Sequence, residues 1–175
     1  MFALLPILLL STFACGGGGE EEATPTPIAG YLIHTDEANG FAISYPEDWD
    51  TITTGVALIA FVAEADPICA PQFSVTIEEL SQPMSVETWF EELKDNLTAA
   101  EGYTPISEEE MTVDGIAAIK HVCSFDVREV TFQAMLLYAV EGTTGWTVFC
   151  TCRFDCWSQY GPIFDTVAGS FRLLE

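Results

Sequence analysis

The chain has 175 residues, of which 49% are hydrophobic and 12% aromatic, so it is too apolar to be disordered throughout. Its 27 acidic and 5 basic side chains give a formal net charge of −22. A surface of this sign repels phosphate backbones, which argues against nucleic-acid binding, and it suits divalent cations or a basic protein. An acidic surface that serves solubility alone is the simpler interpretation.

An apolar run fills residues 1–14 and ends at Cys15. It is too short to span a bilayer as a mature helix and has the length of the apolar part of a signal peptide. A small residue before Cys15 and four glycines after it resemble a bacterial lipoprotein signal, in which the Cys receives the lipid. Thr12 stands where that motif prefers Leu, and no Lys or Arg precedes the run, which a start codon further upstream would explain. An ordinary signal peptide with an incidental Cys is the alternative.

Residues 16–30 have the composition of a tether. Glycines make it flexible, the like charges of Glu20–Glu22 extend it, and two Thr-Pro pairs stiffen it. A lipid on Cys15 followed by this linker would hold a domain of residues 31–175 a few nanometres from a membrane. We therefore expect an exported protein, anchored by lipid to the cell membrane or envelope and facing away from the cytoplasm.

A short alternating strand that runs into a proline turn opens the domain. Phe41 and Ile43 share one face of this strand. Pro46 has no N–H donor and a fixed φ, so the strand must end there. Trp49 follows the turn, where its ring can fold back over the edge of the sheet. Tyr45, Pro46 and Trp49 are therefore predicted to anchor the fold rather than to stack on a ligand.

Hydrophobic periodicity predicts the other elements. They are strands at 56–62 and 73–77, a helix at 85–100, an antiparallel meander of strands at about 116–125, 130–140 and 146–154, and a final helix that begins at Pro162. Ser85 is suited to cap the first helix, and Pro162 to occupy the first position of the second. Apolar residues on both parities near Leu136 and Leu137 predict that both faces of the sheet are covered.

The order of these elements resembles a known family. The pattern consists of Ile-Ser-Tyr-Pro-x-x-Trp at 43–49, a strand pair, Ser-x-x-x-Trp-Phe at 85–90, a turn at Asp114-Gly115, the meander, and a terminal helix ending Gly-Ser-Phe at 169–171. Over about residues 31–175 it is similar to PsbP-like (Mog/PsbP) domains. The resemblance implies an α/β (α+β) fold, in which an antiparallel sheet of about six strands is flanked by helices as an α/β/α sandwich.

The resemblance implies little about activity. The family includes an extrinsic subunit of photosystem II, a Ran-binding protein and many bacterial lipoproteins, so one scaffold serves unrelated tasks. Metal sites have been associated with histidines in its photosynthetic members. This chain has only His34 and His121, and neither matches such a site.

With Cys15 assigned to the lipid, five cysteines remain: Cys69, Cys123, Cys150, Cys152 and Cys156. Outside the cytoplasm they are expected to form disulfides, and because five cannot all pair within one chain, at least one thiol stays free or bridges to another molecule. Cys150 and Cys152 lie too far apart along one strand to bond, and Cys123 lies two strands away. Cys69 and Cys156 lie in loops, so we expect Cys69 to pair with Cys152 or Cys156.

A competing hypothesis makes Cys150, Cys152 and Cys156 a soft-metal or thiol-redox site. Zinc knuckles usually use Cys-x-x-Cys spacing, which this cluster lacks, and no His is near it in the sequence. Structural disulfides together with a buried thiol explain the same residues more simply.

Other candidate residues fit structural roles. Adjacent carboxylates such as Glu78-Glu79, Glu91-Glu92 and Glu108–Glu110 rarely converge, and the sequence has no calcium-loop, P-loop, dinucleotide or Gly-x-Ser-x-Gly motif. They are expected to form a solvated acidic face. His121 lies within a predicted strand, as a hydrogen-bonded core or edge histidine. His34 precedes the first firm strand and is expected to be exposed.

The sequence thus predicts a membrane-tethered, extracytoplasmic, non-catalytic binding or accessory domain. We expect a monomer that reaches the membrane only through its lipid, with an envelope protein or a cation as partner. No cofactor is expected, unless a divalent cation such as calcium binds the acidic surface. The alternatives are a metal-binding or thiol-redox protein that uses Cys150, Cys152 and Cys156, and a structural envelope module with no ligand.

Overall fold

The computed structural model of the chain describes residues 27–53, 55 and 57–174. This part contains ten strands and two α-helices: β1 (Tyr31–Asp36), β2 (Phe41–Pro46), β3 (Asp50–Ile52), β4 (Ile59–Val62), β5 (Gln72–Glu79), α1 (Val86–Thr98), β6 (Thr104–Val113), β7 (Ile116–Val127), β8 (Val130–Glu141), β9 (Thr144–Arg153), α2 (Trp157–Gly169) and β10 (Arg172–Leu173). A short 3-10 helix, Phe154–Cys156, leads into α2. The predicted signal peptide, Cys15 and most of the predicted tether lie outside the described residues.

The strands form two antiparallel sheets. The large sheet has seven strands in the order β3-β4-β5-β9-β8-β7-β6, and the small one has three in the order β1-β2-β10. The meander β7-β8-β9 is closed by short turns and lies inside the large sheet. The predicted antiparallel sheet flanked by helices is confirmed, with one strand more than the expected six and with a second small sheet beside it.

The large sheet separates two hydrophobic cores. On one face, Phe164 and Val167 of α2 belong to a core with Ile43 of the small sheet and with Val75 and Cys150 of the large sheet. On the other face, Trp89 and Phe90 of α1 pack with Leu136 and Tyr138 of β8. Leu136 and Leu137 are both buried, one in each core, which confirms that β8 is covered on both sides.

The predicted fold-anchoring residues lie around the end of β2. Trp49 is 6% exposed, and its ring centroid lies 5.8 Å from that of Phe73 and 6.2 Å from that of Phe164. The ring of Tyr45 lies 4.5 Å from that of Phe61. Pro46 is the last residue of β2, and its carbonyl accepts a hydrogen bond from the Trp49 N–H, which closes the turn. These contacts pack the turn against the core between the large sheet and α2.

Helix α1 follows the sequence signals closely. Ser85 is its N-cap, and the Ser85 hydroxyl accepts a hydrogen bond from the Thr88 N–H. This satisfies one of the N–H groups that have no partner within the first turn of a helix. Val86, Trp89 and Phe90 form its buried face, and the helix ends at Thr98, two residues before the predicted end.

Helix α2 begins five residues earlier than predicted. Pro162 was expected at the first helical position, but the helix starts at Trp157 and Pro162 lies inside it. The 3-10 turn before α2 supplies the helical start, and the buried Tyr160 extends the apolar stripe of Phe164 and Val167 toward the N-terminus. Pro162 cannot donate to the carbonyl of Ser158, and both residues are exposed, so this loss occurs at the surface, where it is tolerated.

Four strands were not predicted from the sequence, namely β1, β3, β6 and β10, and β4 starts later than predicted. His34, expected to precede the first strand and to be exposed, lies half-buried in β1 with its ring 5.8 Å from Phe61. β6 is almost entirely exposed, so it has no apolar alternation to reveal it. β4 begins at Ile59 rather than at residue 56.

Candidate functional site

One row of side chains crosses the large sheet on the face that α1 packs against. The strand register places the following residues side by side, one from each strand: Ile52, Ala60, Ser74, Phe149, Leu136, His121 and Glu108. Helix α1 lies against β7 and β8, where Phe90 covers Leu136 and His121. The part of the row on β3, β4 and β5 lies beyond the helix, and Ile52 is 39% exposed.

An open groove of about 340 Å³ lies over this uncovered part of the sheet. We call it the sheet groove; it is lined by Ile52, Ala57, Ala60, Gln72, Phe73, Ser74, Thr76 and Phe149. The small side chains of Ala60 and Ser74 stand between the larger Ile52 and Phe149, so the floor of the groove is low and mostly apolar. Its lining can bury an apolar side chain, and the hydroxyl groups of Ser74 and Thr76 can form hydrogen bonds beside it.

All residues that line the sheet groove except Phe149 belong to a sequence segment that has no basic side chain. Residues 31–93 contain twelve Asp or Glu and no Lys or Arg. The two lysines are both paired elsewhere: Lys94 contacts Glu91 at 2.6 Å and Glu108 at 3.3 Å, and Lys120 contacts Glu109 at 3.1 Å. The negative charge around β1 to β5 therefore has no compensating lysine or arginine within that segment, and its field favours a basic partner.

A second depression is less suited to a single partner chemistry. It has a volume of about 370 Å³ and lies where β8 begins and β9 ends. Its lining mixes the guanidinium group of Arg153 with the carboxylates of Glu129 and Asp155. A site with both signs of charge and little apolar surface selects its ligand less clearly than the sheet groove does.

His121 lies at the covered end of the row and is a core histidine, as its place in a strand predicts. It is 2% exposed, its Nε2 lies 2.9 Å from the hydroxyl of Tyr103, and its Nδ1 has no hydrogen-bond partner. Burial lowers the pKa of His121 despite the opposing charge of Glu108. The imidazole is shielded by Phe90 and Tyr103, so it cannot reach a substrate in the sheet groove.

Cys69 and Cys156 form a disulfide, with their Cα atoms 5.7 Å apart. The sequence left Cys152 and Cys156 open as partners of Cys69, and in the structure Cys152 is free. Asp66 stabilises the region around this disulfide, because its carboxylate accepts hydrogen bonds from the Cys69 N–H and from the Tyr160 hydroxyl. These hydrogen bonds, that of Cys69 first, lower the pKa of Asp66, and burial raises the pKa of Tyr160 to about 12. The disulfide and the two hydrogen bonds of Asp66 therefore serve a structural role, which is to join the loop of Cys69 to the start of α2.

The three free cysteines of the described residues are all buried. Burial raises the pKa of Cys123 and of Cys152 to about 11 and that of Cys150 well above its ordinary value. A thiol in such a place is inert, because the thiolate is the reactive form. Cys156 is already bonded to Cys69, so it cannot join Cys150 and Cys152 in one site. The geometry thus disfavours the competing thiol-redox hypothesis.

The carboxylates singled out in the sequence do not converge. Glu108 contacts Lys94 of α1, whereas its neighbour Glu109 contacts Lys120 and so lies on the opposite face of the sheet. Among the residues that the structure describes, no three His, Cys, Asp or Glu side chains are grouped so that they could hold a metal ion.

In the same part of the chain, neither helix is long and apolar enough to cross a membrane.

A seven-stranded antiparallel sheet with α1 on one face, and with α2 and a small sheet on the other, is a PsbP-like fold. CyanoP, the PsbP protein of the cyanobacterium Synechocystis sp. PCC 6803, superposes with a TM-score of 0.63 at 19% identity, over 91% of this chain and 97% of that chain. LpqN, described as involved in cell envelope biogenesis of Mycobacterium tuberculosis, superposes with a TM-score of 0.64 at 11% identity, over 77% of this chain and 83% of that chain.

A third similar structure is a protein of unknown function from Pseudomonas aeruginosa, with a TM-score of 0.59 at 9% identity over 79% of this chain and 94% of that chain. No family model matches the sequence, and no curated protein matches it. At these identities, the structural likeness establishes the fold.

Proposed function

We propose that this chain is an exported, lipid-anchored accessory domain that has no catalytic activity and binds a protein partner in the cell envelope. Cys15 would carry the lipid, and residues 16–30 would be the tether. The proposal is supported by the PsbP-like fold that the chain shares with CyanoP and with LpqN, the latter involved in envelope biogenesis. One such scaffold serves several tasks, so the binding surface must be argued from this chain alone.

The observation that carries the proposal is the sheet groove. Its floor is apolar, and it lies in a segment with twelve carboxylates and no cation. A partner that inserts an apolar side chain flanked by Lys or Arg would match both properties. The residues that line the groove include no carboxylate, imidazole or thiol, so the lining offers no general base that could activate the hydroxyl groups of Ser74 and Thr76 for nucleophilic attack.

The variant Ser74→Arg tests the binding surface. Ser74 lies in the middle of the groove, and Arg would fill it and add a positive charge that repels a basic partner. Thr98→Arg is the matched control, because it adds the same charge at the exposed end of α1. Wild type and both variants are expressed in the native cell, cross-linked in intact envelopes, and compared by quantitative mass spectrometry.

We expect an envelope protein that is cross-linked to wild type and to Thr98→Arg but is depleted at least tenfold with Ser74→Arg, since about 1.4 kcal/mol corresponds to a tenfold change in affinity. The same partners at the same levels in all three samples would refute the sheet groove as the binding surface. Circular dichroism and thermal unfolding of the purified variants check that both are folded.

The lipid anchor has its own test. The intact mass of protein extracted from native membranes should correspond to a chain that begins at Cys15 and carries acyl groups. Cys15→Ser should release the domain from the membrane fraction. An unlipidated mass would remove the anchor from the proposal but would leave the binding surface to be judged by the variants above.

A further inference from the structure

The last strand of the large sheet, β6, has an open edge. β6 (Thr104–Val113) pairs with β7 on one side and ends the strand order on the other. Residues 104–110 are all exposed. Apart from the ladder with β7, no backbone–backbone hydrogen bond in the described part of the chain involves residues 105–113. The opposite edge strand, β3, has only three residues, so β6 is the long free edge of this sheet.

The turn after β6 determines which backbone groups face outward. Asp114 and Gly115 have positive φ values of 51° and 83°, as a two-residue type I′ hairpin turn requires. The flanking pair, Val113 and Ile116, is then hydrogen-bonded, and bonded and non-bonded pairs alternate along the ladder. The N–H and C=O groups of Glu108, Glu110 and Thr112 therefore point away from β7. They form three consecutive binding positions on the straight part of the strand, beyond the bulge at Pro105/Ser107.

The side chains along this edge carry a single sign of charge. Glu108 and Glu109 lie on opposite faces of the sheet, since they contact Lys94 and Lys120 respectively, and Glu110 takes part in no ion pair among the described residues. A second copy of β6 laid against this edge would place carboxylates opposite carboxylates, which is unfavourable. Edge strands commonly use charge in this way to avoid pairing with themselves. The same charges would attract a basic strand.

We propose that the β6 edge binds an extended basic segment of a partner protein, which adds to the large sheet as a further strand. Main-chain hydrogen bonds to Glu108, Glu110 and Thr112 would hold the segment, and its Lys or Arg side chains would lie against the three glutamates. This surface is separate from the sheet groove. β6 lies four strand positions from β5, a distance of about 19 Å at ordinary strand spacing.

A synthetic peptide serves as the probe. It has about eight residues that alternate Lys and Thr, so that its lysines can face Glu108 and Glu110 together. Backbone amide hydrogen exchange of the folded protein is followed by NMR as the peptide is added, up to about 1 mM. We expect slower exchange at the amides of Glu108, Glu110 and Thr112, which face outward in the free protein. Unchanged exchange at these three amides at the highest peptide concentration would overturn the proposal.

Charge and backbone contributions are tested separately. Glu110→Gln should weaken peptide binding about twofold to fivefold, the range measured for cross-strand charge pairs. Glu92→Gln is the matched control, because it removes the same charge from the exposed face of α1 and should leave the affinity unchanged. Equal affinities of these two variants would overturn the charge-based selection of the partner.

Thr112→Pro removes an outward N–H without removing a bond of the β6–β7 ladder, so it should weaken binding about tenfold. If this variant does not fold, the same question is asked of the ligand, with a peptide methylated on alternate backbone nitrogens. Equal binding of the methylated and unmethylated peptides would exclude strand addition. Ser74→Arg should leave peptide binding unchanged, so a failure of the edge is distinguishable from a failure of the sheet groove.

Discussion

The three free thiols of the described domain lie where the thiolate form is disfavoured. Cys123 lies in the core under α1, and Cys150 and Cys152 lie in the core under α2. We predict that iodoacetamide at about pH 8 leaves all three unmodified in the folded protein, because burial raises the pKa of each thiol. Unfolding in urea without reductant should then expose three reactive thiols, and reduction should expose Cys69 and Cys156 as well.

Intact mass spectrometry counts the alkyl groups in each state. The sequence alone predicted at least one free thiol from the odd number of domain cysteines. Rapid labelling of Cys150 or Cys152 in the folded protein would contradict the buried state and would revive the thiol-redox alternative.

The buried imidazole of His121 should make stability depend on pH. Its ordinary pKa of 6.5 is lowered in the folded state by burial, with Lys94 acting in the same direction and Glu108 against it. Between pH 6.5 and the lower folded value, the unfolded chain binds more protons than the folded one. The free energy of unfolding should therefore be highest above pH 6.5 and decrease as the pH falls through this interval.

The contribution of His121 can be isolated by comparison with His121→Gln. The difference in free energy of unfolding between wild type and variant, measured by urea unfolding from pH 7.5 to about pH 5.5, should change with pH in the stated direction. The imidazole pKa is also directly observable by NMR. A value at or above 6.5 in the folded protein would show that the ring is more solvated than its packing against Phe90 and Tyr103 implies.

At the scale of elements, the Trp89 ring of α1 packs closely against Gly145 of β9. A Cβ atom on Gly145 would lie 2.7 Å from the Trp89 ring, closer than van der Waals contact permits. Gly145→Ala should push the indole out of place and lower the free energy of unfolding by about 1–3 kcal/mol. Gly169→Ala is the matched control, since nothing lies within 4 Å of its added Cβ. Urea unfolding of both variants gives the two changes in free energy of unfolding. Equal changes at the two positions would contradict the close packing of Trp89 against Gly145.

The elements that the sequence predicts well are those whose burial is periodic. Helix α1 has its cap and its buried stripe within one continuous segment, and β8 shows apolar residues on both parities. β6 has no such signal, because an exposed edge strand is defined by its pairing with β7 rather than by its own side chains. The start of α2 was misplaced since an exposed Pro162 can lie within a helix when the preceding turn supplies the first helical residues.

The candidate sites could not be predicted from local patterns. Ile52, Ala60, Ser74 and Phe149 become neighbours only through the register of four strands. The groove over them exists because α1 lies on β7 and β8 and leaves this half of the face open, which depends on tertiary packing. The acidic run Glu108–Glu110 was visible in the sequence, but its place on a free edge follows from the strand order.

At the scale of the whole molecule, the distribution of charge dominates. The formal net charge of the chain is −22, of which −19 falls on residues 31–175 (24 acidic and 5 basic side chains), and residues 31–93 carry none of the basic ones. A compact domain with this excess of like charge is destabilised by self-repulsion, which salt screens over a Debye length of about 10 Å at 0.1 M. The ion pairs of Lys94 and Lys120 oppose this trend, but exposed pairs contribute at most about 1 kcal/mol each.

We predict that sodium chloride stabilises the domain. The midpoint of thermal unfolding should rise by several degrees between about 0.02 M and 0.5 M salt, since about 1 kcal/mol shifts the midpoint by about 4 °C in a domain of this size. Calcium chloride at equal ionic strength is the control. A similar rise in both salts indicates screening, whereas a much larger rise in calcium would identify a cation site on the acidic surface. A midpoint that falls with sodium chloride would mean that the few attractive pairs outweigh the repulsion. The acidic segment 31–93 would then not provide the field on which binding of a basic partner depends.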